Sequence, residues 1–224
     1  MAIKPILPHS TLRVIKSDPF ISWEGCVQFR LIYDGLLLGA SRNDTRGQHK
    51  HNVRREFHKQ LKRLWTVNRH LVDVAAHFPQ NPQGAYVVGD GLYLEYLANK
   101  FTIGSYNCAP LVTGEKELAC AIDILFLRYD QPGITLIQSG DIDNRLKTLF
   151  DALRRPQNNA ECFGEPTEDE NPFFCLLEDD KFIDHVSVTT DLLLQPNRDV
   201  NDVHLILDVK VKPTDLNMGN IGYL

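Results

Sequence analysis

Acidic residues and a lysine in the second half of the chain have types and spacing suited to metal-dependent chemistry on phosphates. Asp141 and Asp143 lie two positions apart in the segment GDIDNRLK, and Lys147 follows one helical turn after Asp143. Carboxylates at i and i+2 do not share a face inside a helix. They converge if Asp141 precedes the helix and Asp143 lies in its first turn, where the helix dipole favours an anion. Ile142 then faces the core, and Lys147 places an ammonium beside the carboxylates.

A second acidic run, Glu178-Asp179-Asp180, precedes a predicted strand and offers a third carboxylate. Acids that converge without a cation repel one another until one of them protonates. With Mg²⁺ or Mn²⁺ they form a site that activates water and neutralises charge on a phosphate. Each stretch alone also has a simple structural explanation, Asp143 as a helix cap and residues 178–180 as a solvated turn. Their combination with Lys147 favours the metal site.

Hydrophobic periodicity predicts six elements that would position these residues. Alternation of apolar and polar residues indicates strands, and apolar spacings of three and four indicate helices. The order is strand, helix, strand, helix, strand, strand, over residues 27–33, 52–78, 118–127, 142–153, 182–194 and 203–211. We therefore expect an α+β domain with a mixed four-stranded sheet packed with two main helices. Residues 1–213 form this single domain, with an insertion at 79–117 and an acidic loop at 157–175, and residues 214–224 form a C-terminal tail.

Charge is distributed unevenly along the chain, although the net charge is only −5. Residues 42–70 have a local balance of +7, and residues 161–180 have a local balance of −8. The basic segment is an amphipathic helix whose cations are candidate contacts to DNA phosphates. These candidates are Arg54, Arg55, Lys59, Lys62 and Arg63. A solvated helix face explains them equally well. The neighbouring histidines (His49, His51, His58) have no zinc-binding spacing and are expected at the surface.

The remaining composition is that of an ordinary globular protein. Five cysteines without a C-x-x-C pair suggest neither a disulfide framework nor a zinc site. They are expected to be small core residues in a reducing compartment. No apolar run is long enough for a membrane span, and the N-terminus lacks a secretory pattern. We expect a cytoplasmic protein.

The acidic segments resemble those of one known family. GDIDNRLKTLFDAL, residues 140–153, is similar to the D-x-D-N-x-x-K…F-D-A-L segment of RusA-type Holliday junction resolvases, and LLEDDKFIDH resembles the later acidic segment of that family. About 90 residues are covered well and another 45 loosely. The resemblance implies that the catalytic residues, which include the metal ligands, are Asp141, Asp143, Lys147 and Asp179. Asp180 replaces Asp179 as a ligand if the alignment is shifted by one residue, and Asp151 is structural.

The resemblance also implies a function. It predicts a Mg²⁺-dependent (or Mn²⁺-dependent) endonuclease that cleaves branched or structured DNA and acts as a homodimer, because a resolvase nicks two strands related by a twofold axis. Two alternatives stay open. One is a catalytically weak or inactive nucleic-acid-binding protein on the same fold, and the other is a metal enzyme acting on small phosphorylated substrates.

Overall fold

The computed structural model describes residues 27–39, 44–77, 92–129 and 141–223. The helices are α1 (Asp44–Val67), α2 (Arg69–Ala75), α3 (Tyr93–Lys100) and α4 (Asp141–Leu153). The strands are β1 (Val27–Leu36), β2 (Thr102–Ile103), β3 (Tyr106–Val112), β4 (Leu118–Arg128), β5 (Phe173–Leu177), β6 (Ile183–Leu192) and β7 (Asp202–Pro213). Short 3₁₀ turns occur at Asn159–Glu161, Glu168–Glu170, Asp180–Phe182 and Ile221–Tyr223.

A four-stranded mixed sheet with the order β1-β7-β4-β6 is the main element of the fold. Strand β7 is antiparallel to both β1 and β4, whereas β6 is parallel to β4. Side chains alternate between a buried and a more exposed face, and in β7 every odd-numbered residue from Val203 to Val211 is buried. This alternation is the period-2 pattern of the sequence. The predicted α+β class and the mixed four-stranded sheet are confirmed.

A second sheet, with the order β2-β3-β5, was not predicted. Strands β3 and β5 are parallel neighbours, and all five residues of β5 are buried. A strand that is covered on both faces shows no alternation, so its sequence resembles any short apolar run. The predicted insertion at 79–117 therefore contributes α3, β2 and β3 to the described structure, and the last three residues of the predicted acidic loop at 157–175 belong to β5.

The predicted basic helix is two helices. Helix α1 begins eight residues earlier than expected, and Asn68 separates it from α2. The Asn68 side chain accepts a hydrogen bond from the Leu71 backbone N–H, as an N-cap of α2. Helix α1 packs against α4, β5 and β1, so it lies between the two sheets and the helix that holds the acidic motif.

The residues predicted to be a tail are packed against the rest of the chain. Asn220 and Tyr223 are buried; Asn220 donates to the Lys116 carbonyl at 3.0 Å, and the Tyr223 hydroxyl donates to Tyr93 at 3.2 Å. The four described cysteines are free, and three of them are buried, as expected. Among the described helices, none combines the length and apolar character needed to cross a bilayer.

Candidate functional site

Helix α4 presents part of the acidic motif to solvent. Its buried side chains are mainly apolar, with Leu149 and Leu153 fully buried, and they also include Arg145 and Thr148. Asp143 and Lys147 are exposed on the outer face, four residues apart, so their side chains lie over neighbouring turns. Among the residues that the structure describes, none forms an ion pair with either of them. Asp141 was predicted to precede the helix but is the first residue of α4, and its side chain lies outside the described part.

The late acidic run divides into one structural residue and two available ones. The Glu178 carboxylate accepts a hydrogen bond from the Gly114 backbone N–H at 2.9 Å, which ties the end of β5 to the loop before β4. Asp179 caps the 180–182 turn and accepts from the Lys181 N–H at 3.0 Å, but remains partly exposed. Asp180 is exposed. Lys181, which was not among the predicted site residues, is also exposed beside them. Its position directly after the three acids, in the run EDDK, was the signal that could have identified it.

The distance between the two acidic stretches along α4 determines what path the chain must take if they are to share one ion. Arg155, just beyond the helix, donates its backbone N–H to Leu177 at 2.8 Å, so β5 ends beside the C-terminal end of α4. Asp143 lies ten residues before Leu153, about 15 Å along the axis. A shared ion therefore requires the chain after Leu177 to run back along α4. The 180–182 turn packs against α4, as such a path requires.

The donor chemistry suits a hard divalent cation, because carboxylate oxygens are the ligands that Mg²⁺ and Mn²⁺ prefer. Within the described side chains, no group of three acids, histidines or cysteines is close enough to hold a metal ion. The Asp141 carboxylate is not among those side chains.

Arg54 is placed differently from the prediction. Its side chain is 1% exposed, so it does not contact DNA phosphates from this position. The guanidinium donates to the carbonyls of Asp151 at 2.7 Å and Arg154 at 3.0 Å, at the C-terminal end of α4. It also donates to the carbonyl of Glu161 and pairs with its carboxylate, both at 3.4 Å. A cation there satisfies the carbonyl groups that a helix end leaves free. Arg54 thus anchors the helix that holds the acidic motif.

Most of the other predicted DNA contacts are occupied within the chain. Arg55 pairs with Glu170 at 2.8 Å, and Lys62 pairs with Asp169 at 3.1 Å. Lys59 pairs with Glu56 on its own helix, and Arg63 is exposed. The acidic residues 161–170 therefore lie on the basic face of α1 and neutralise much of it. The opposite local charges in the sequence were the signal for this contact.

The expected surface location is wrong for two of the three histidines. His51 and His58 are 0% and 3% exposed, and the His58 ring stacks on Phe173 with the centroids 4.6 Å apart. The Nδ1 atom of His58 accepts the Phe174 N–H at 2.9 Å, so Nε2 carries the proton and donates to the Asp169 carbonyl at 3.1 Å. Burial lowers the pKa of both rings, to about 4 for His51. These neutral histidines attach α1 to the second sheet and to the acidic segment.

Comparisons with known proteins found no matching family model, no similar curated protein and no similar solved structure.

Proposed function

We propose that this protein is a divalent-metal-dependent endonuclease that cleaves phosphodiester bonds in branched or structured DNA, and that it resembles the RusA-type resolvases in mechanism. The observation that carries the proposal is the exposure of Asp143 and Lys147 on one helix, against which the turn that follows Asp179 packs. The similarity of residues 140–153 and of the late acidic run to the resolvase segments supports the same function.

In this proposal the ligands of Mg²⁺ or Mn²⁺ are Asp141, Asp143 and Asp179, with Asp180 in place of Asp179 in the alternative alignment. The ion, when bound, supplies an activated water and neutralises charge on the scissile phosphate. Lys147 stabilises the additional negative charge that develops on the phosphate oxygens in the transition state. Lys181 is a further exposed cation for the DNA backbone beside the late acids.

The pairing of α1 with residues 161–170 weakens the binding-only alternative. That hypothesis depended on the basic helix as a free surface for nucleic acid, and Arg54, Arg55 and Lys62 are engaged with the chain's own acids. The exposed cations that remain on this helix are Lys59 and Arg63. Phosphate contacts of the proposed enzyme are therefore expected mainly around α4 and the 180–182 turn.

The test is cleavage of labelled linear, single-stranded, flapped and four-way DNA with Mg²⁺ or Mn²⁺. We expect cleavage of a branched substrate that is abolished in Asp143→Asn. It should be retained in Asp73→Asn, a control that removes one exposed carboxylate from α2. Salt-sensitive DNA binding without nicking would support the binding-only alternative, and inertness towards all DNA would favour small phosphorylated substrates.

A further inference from the structure

The late acidic run is attached at both of its ends to the turn that joins β3 to β4. At the first end, the Glu178 N–H donates to the Val112 carbonyl at 2.9 Å, and the Glu178 carboxylate accepts from the Gly114 N–H at 2.9 Å. At the second end, the Phe182 ring packs on the same turn, because a Cβ atom added to Gly114 would lie 2.8 Å from its Cζ. The residues between these two contacts are the proposed metal ligands Asp179 and Asp180.

The 113–117 turn is itself held in place, so it can act as a support. The Glu117 N–H donates to the Gly114 carbonyl at 3.0 Å within the turn. The C-terminal segment holds the turn as well, since the Asn220 side chain donates to the Lys116 carbonyl at 3.0 Å. A shift of the acidic run relative to this turn would therefore break hydrogen bonds in a region that is otherwise bonded.

The carboxylates of Glu178 and Asp179 face different partners. The Glu178 carboxylate bonds to the 113–117 turn, whereas the Asp179 carboxylate accepts from the Lys181 N–H at 3.0 Å within its own run. Asp179 is also partly exposed, and Asp180 is fully so. The first acid of the run thus attaches the chain, and the next two acids face outwards where an ion can reach them.

We propose that Glu178 is a positioning residue of the candidate site, which holds the 178–182 backbone on the 113–117 turn and so orients Asp179 and Asp180. The inference rests on the proposed function and adds to it an acid that does not touch the ion. Side chains that orient metal ligands from behind are commonly as important as the ligands, and their loss lowers metal affinity by about 10- to 100-fold.

The test compares Glu178→Gln with Glu178→Ala by calorimetric titration of Mn²⁺ into the full chain. Glutamine keeps an oxygen that accepts the Gly114 N–H, so its Kd for Mn²⁺ should stay within about twofold of the wild type. Alanine removes the acceptor and should raise the Kd at least about tenfold. Thermal unfolding verifies that both variants are folded at the temperature of the titration.

A second readout needs no metal. The Lys181 and Phe182 amides both donate to Asp179, so their hydrogen exchange reports the order of the run. Exchange of these two amides, followed by NMR, should be about tenfold faster in Glu178→Ala and unchanged in Glu178→Gln. The matched control is Glu117→Ala, which removes from the same turn a carboxylate that accepts from the Asn217 side chain at 2.6 Å. It should leave the Mn²⁺ affinity and the exchange of both amides unchanged.

Three results would overturn the positioning role. Equal losses of Mn²⁺ affinity in Glu178→Gln and Glu178→Ala would show that the charge itself is needed, as in a ligand. A lower Tm with unchanged affinity and exchange would show that Glu178 only stabilises the fold. Equal effects of Glu117→Ala would show that any change in the turn acts in this way. Absence of Mn²⁺ binding by the wild type would instead refute the metal site, and the exchange comparison would still decide whether Glu178 fixes the run.

Discussion

Replacement of Arg54 by Met tests the role that burial assigns to this residue. The substitution retains an unbranched side chain but removes the donors to the Asp151 and Arg154 carbonyls and to Glu161. Glu161 keeps Arg154 as a partner at 2.9 Å, so the main loss is at the C-terminal end of α4. Each buried carbonyl that loses a charged hydrogen-bond donor lowers the free energy of unfolding by about 1–3 kcal/mol. We expect a total loss of about 4 kcal/mol in the free energy of unfolding.

The assay is urea and thermal unfolding of the wild type, Arg54→Met and Arg63→Met. In a domain of this size, a loss of 4 kcal/mol lowers the Tm by roughly 8–16 °C. Arg63→Met makes the same substitution at an exposed position of the same helix and should change stability by less than about 0.5 kcal/mol. A loss of under 1 kcal/mol for Arg54→Met would refute the anchoring role. Weaker DNA binding at unchanged stability would instead support the phosphate contact predicted from the sequence.

Three further predictions concern pH, packing and catalysis. Because burial lowers the pKa of His51 from 6.5 to about 4, the unfolded chain takes up a proton that the folded chain does not. The stabilisation by the neutral His51 ring is therefore complete above pH 6.5, and about 3 kcal/mol of it is lost as the pH falls towards 4. Urea unfolding at several pH values should show this loss in the wild type and a smaller pH dependence of the free energy of unfolding in His51→Gln. The same pH dependence in both proteins would contradict this account. In Gly47→Ala, the new Cβ would lie 2.7 Å from the Phe163 ring, so a packing cost of about 1–3 kcal/mol should exceed the roughly 1 kcal/mol of improved helix propensity. In the Phe163→Ala background, Gly47→Ala should instead raise the Tm, because only the gain in helix propensity remains; additive losses would argue against the clash. Lys147→Ala should lower the turnover of DNA cleavage by about 10²-fold with a much smaller loss of DNA affinity, whereas equal losses would mean that Lys147 only holds the substrate.

Elements with one buried face were predictable from the sequence. The alternation in β7 and the apolar spacing of α4 correctly predicted which face of each element is buried, because each element packs against the core along a single face. The second sheet was not predictable in this way. Strands β3 and β5 are buried on all or nearly all positions, and β5 follows directly on an acidic segment. Their pairing joins segments about 65 residues apart, which local patterns do not encode.

The burial of a cation and two histidines on α1 shows a second limit of prediction from local sequence patterns. Helical spacing places Arg54 and His58 on the face of a basic helix, but their environment is decided by residues 161–174, more than a hundred positions later. The opposite charges of the two segments indicated attraction, while the depth of burial follows from how Phe173 and the acidic turn pack on the helix. For the candidate site, the sequence predicted Asp143 in the first turn of α4, but it placed Asp141 before the helix and not at its first residue.

The most direct test of the central claim is a calorimetric titration of Mn²⁺ into the full chain, with Asp143→Asn and the control Asp73→Asn measured alongside. The proposed site predicts binding of Mn²⁺ to the wild type and to Asp73→Asn, and loss of that binding in Asp143→Asn. Absence of Mn²⁺ binding by the wild type, or equal binding by all three proteins, would contradict a metal centre formed by the acidic residues of α4 and the 178–180 run.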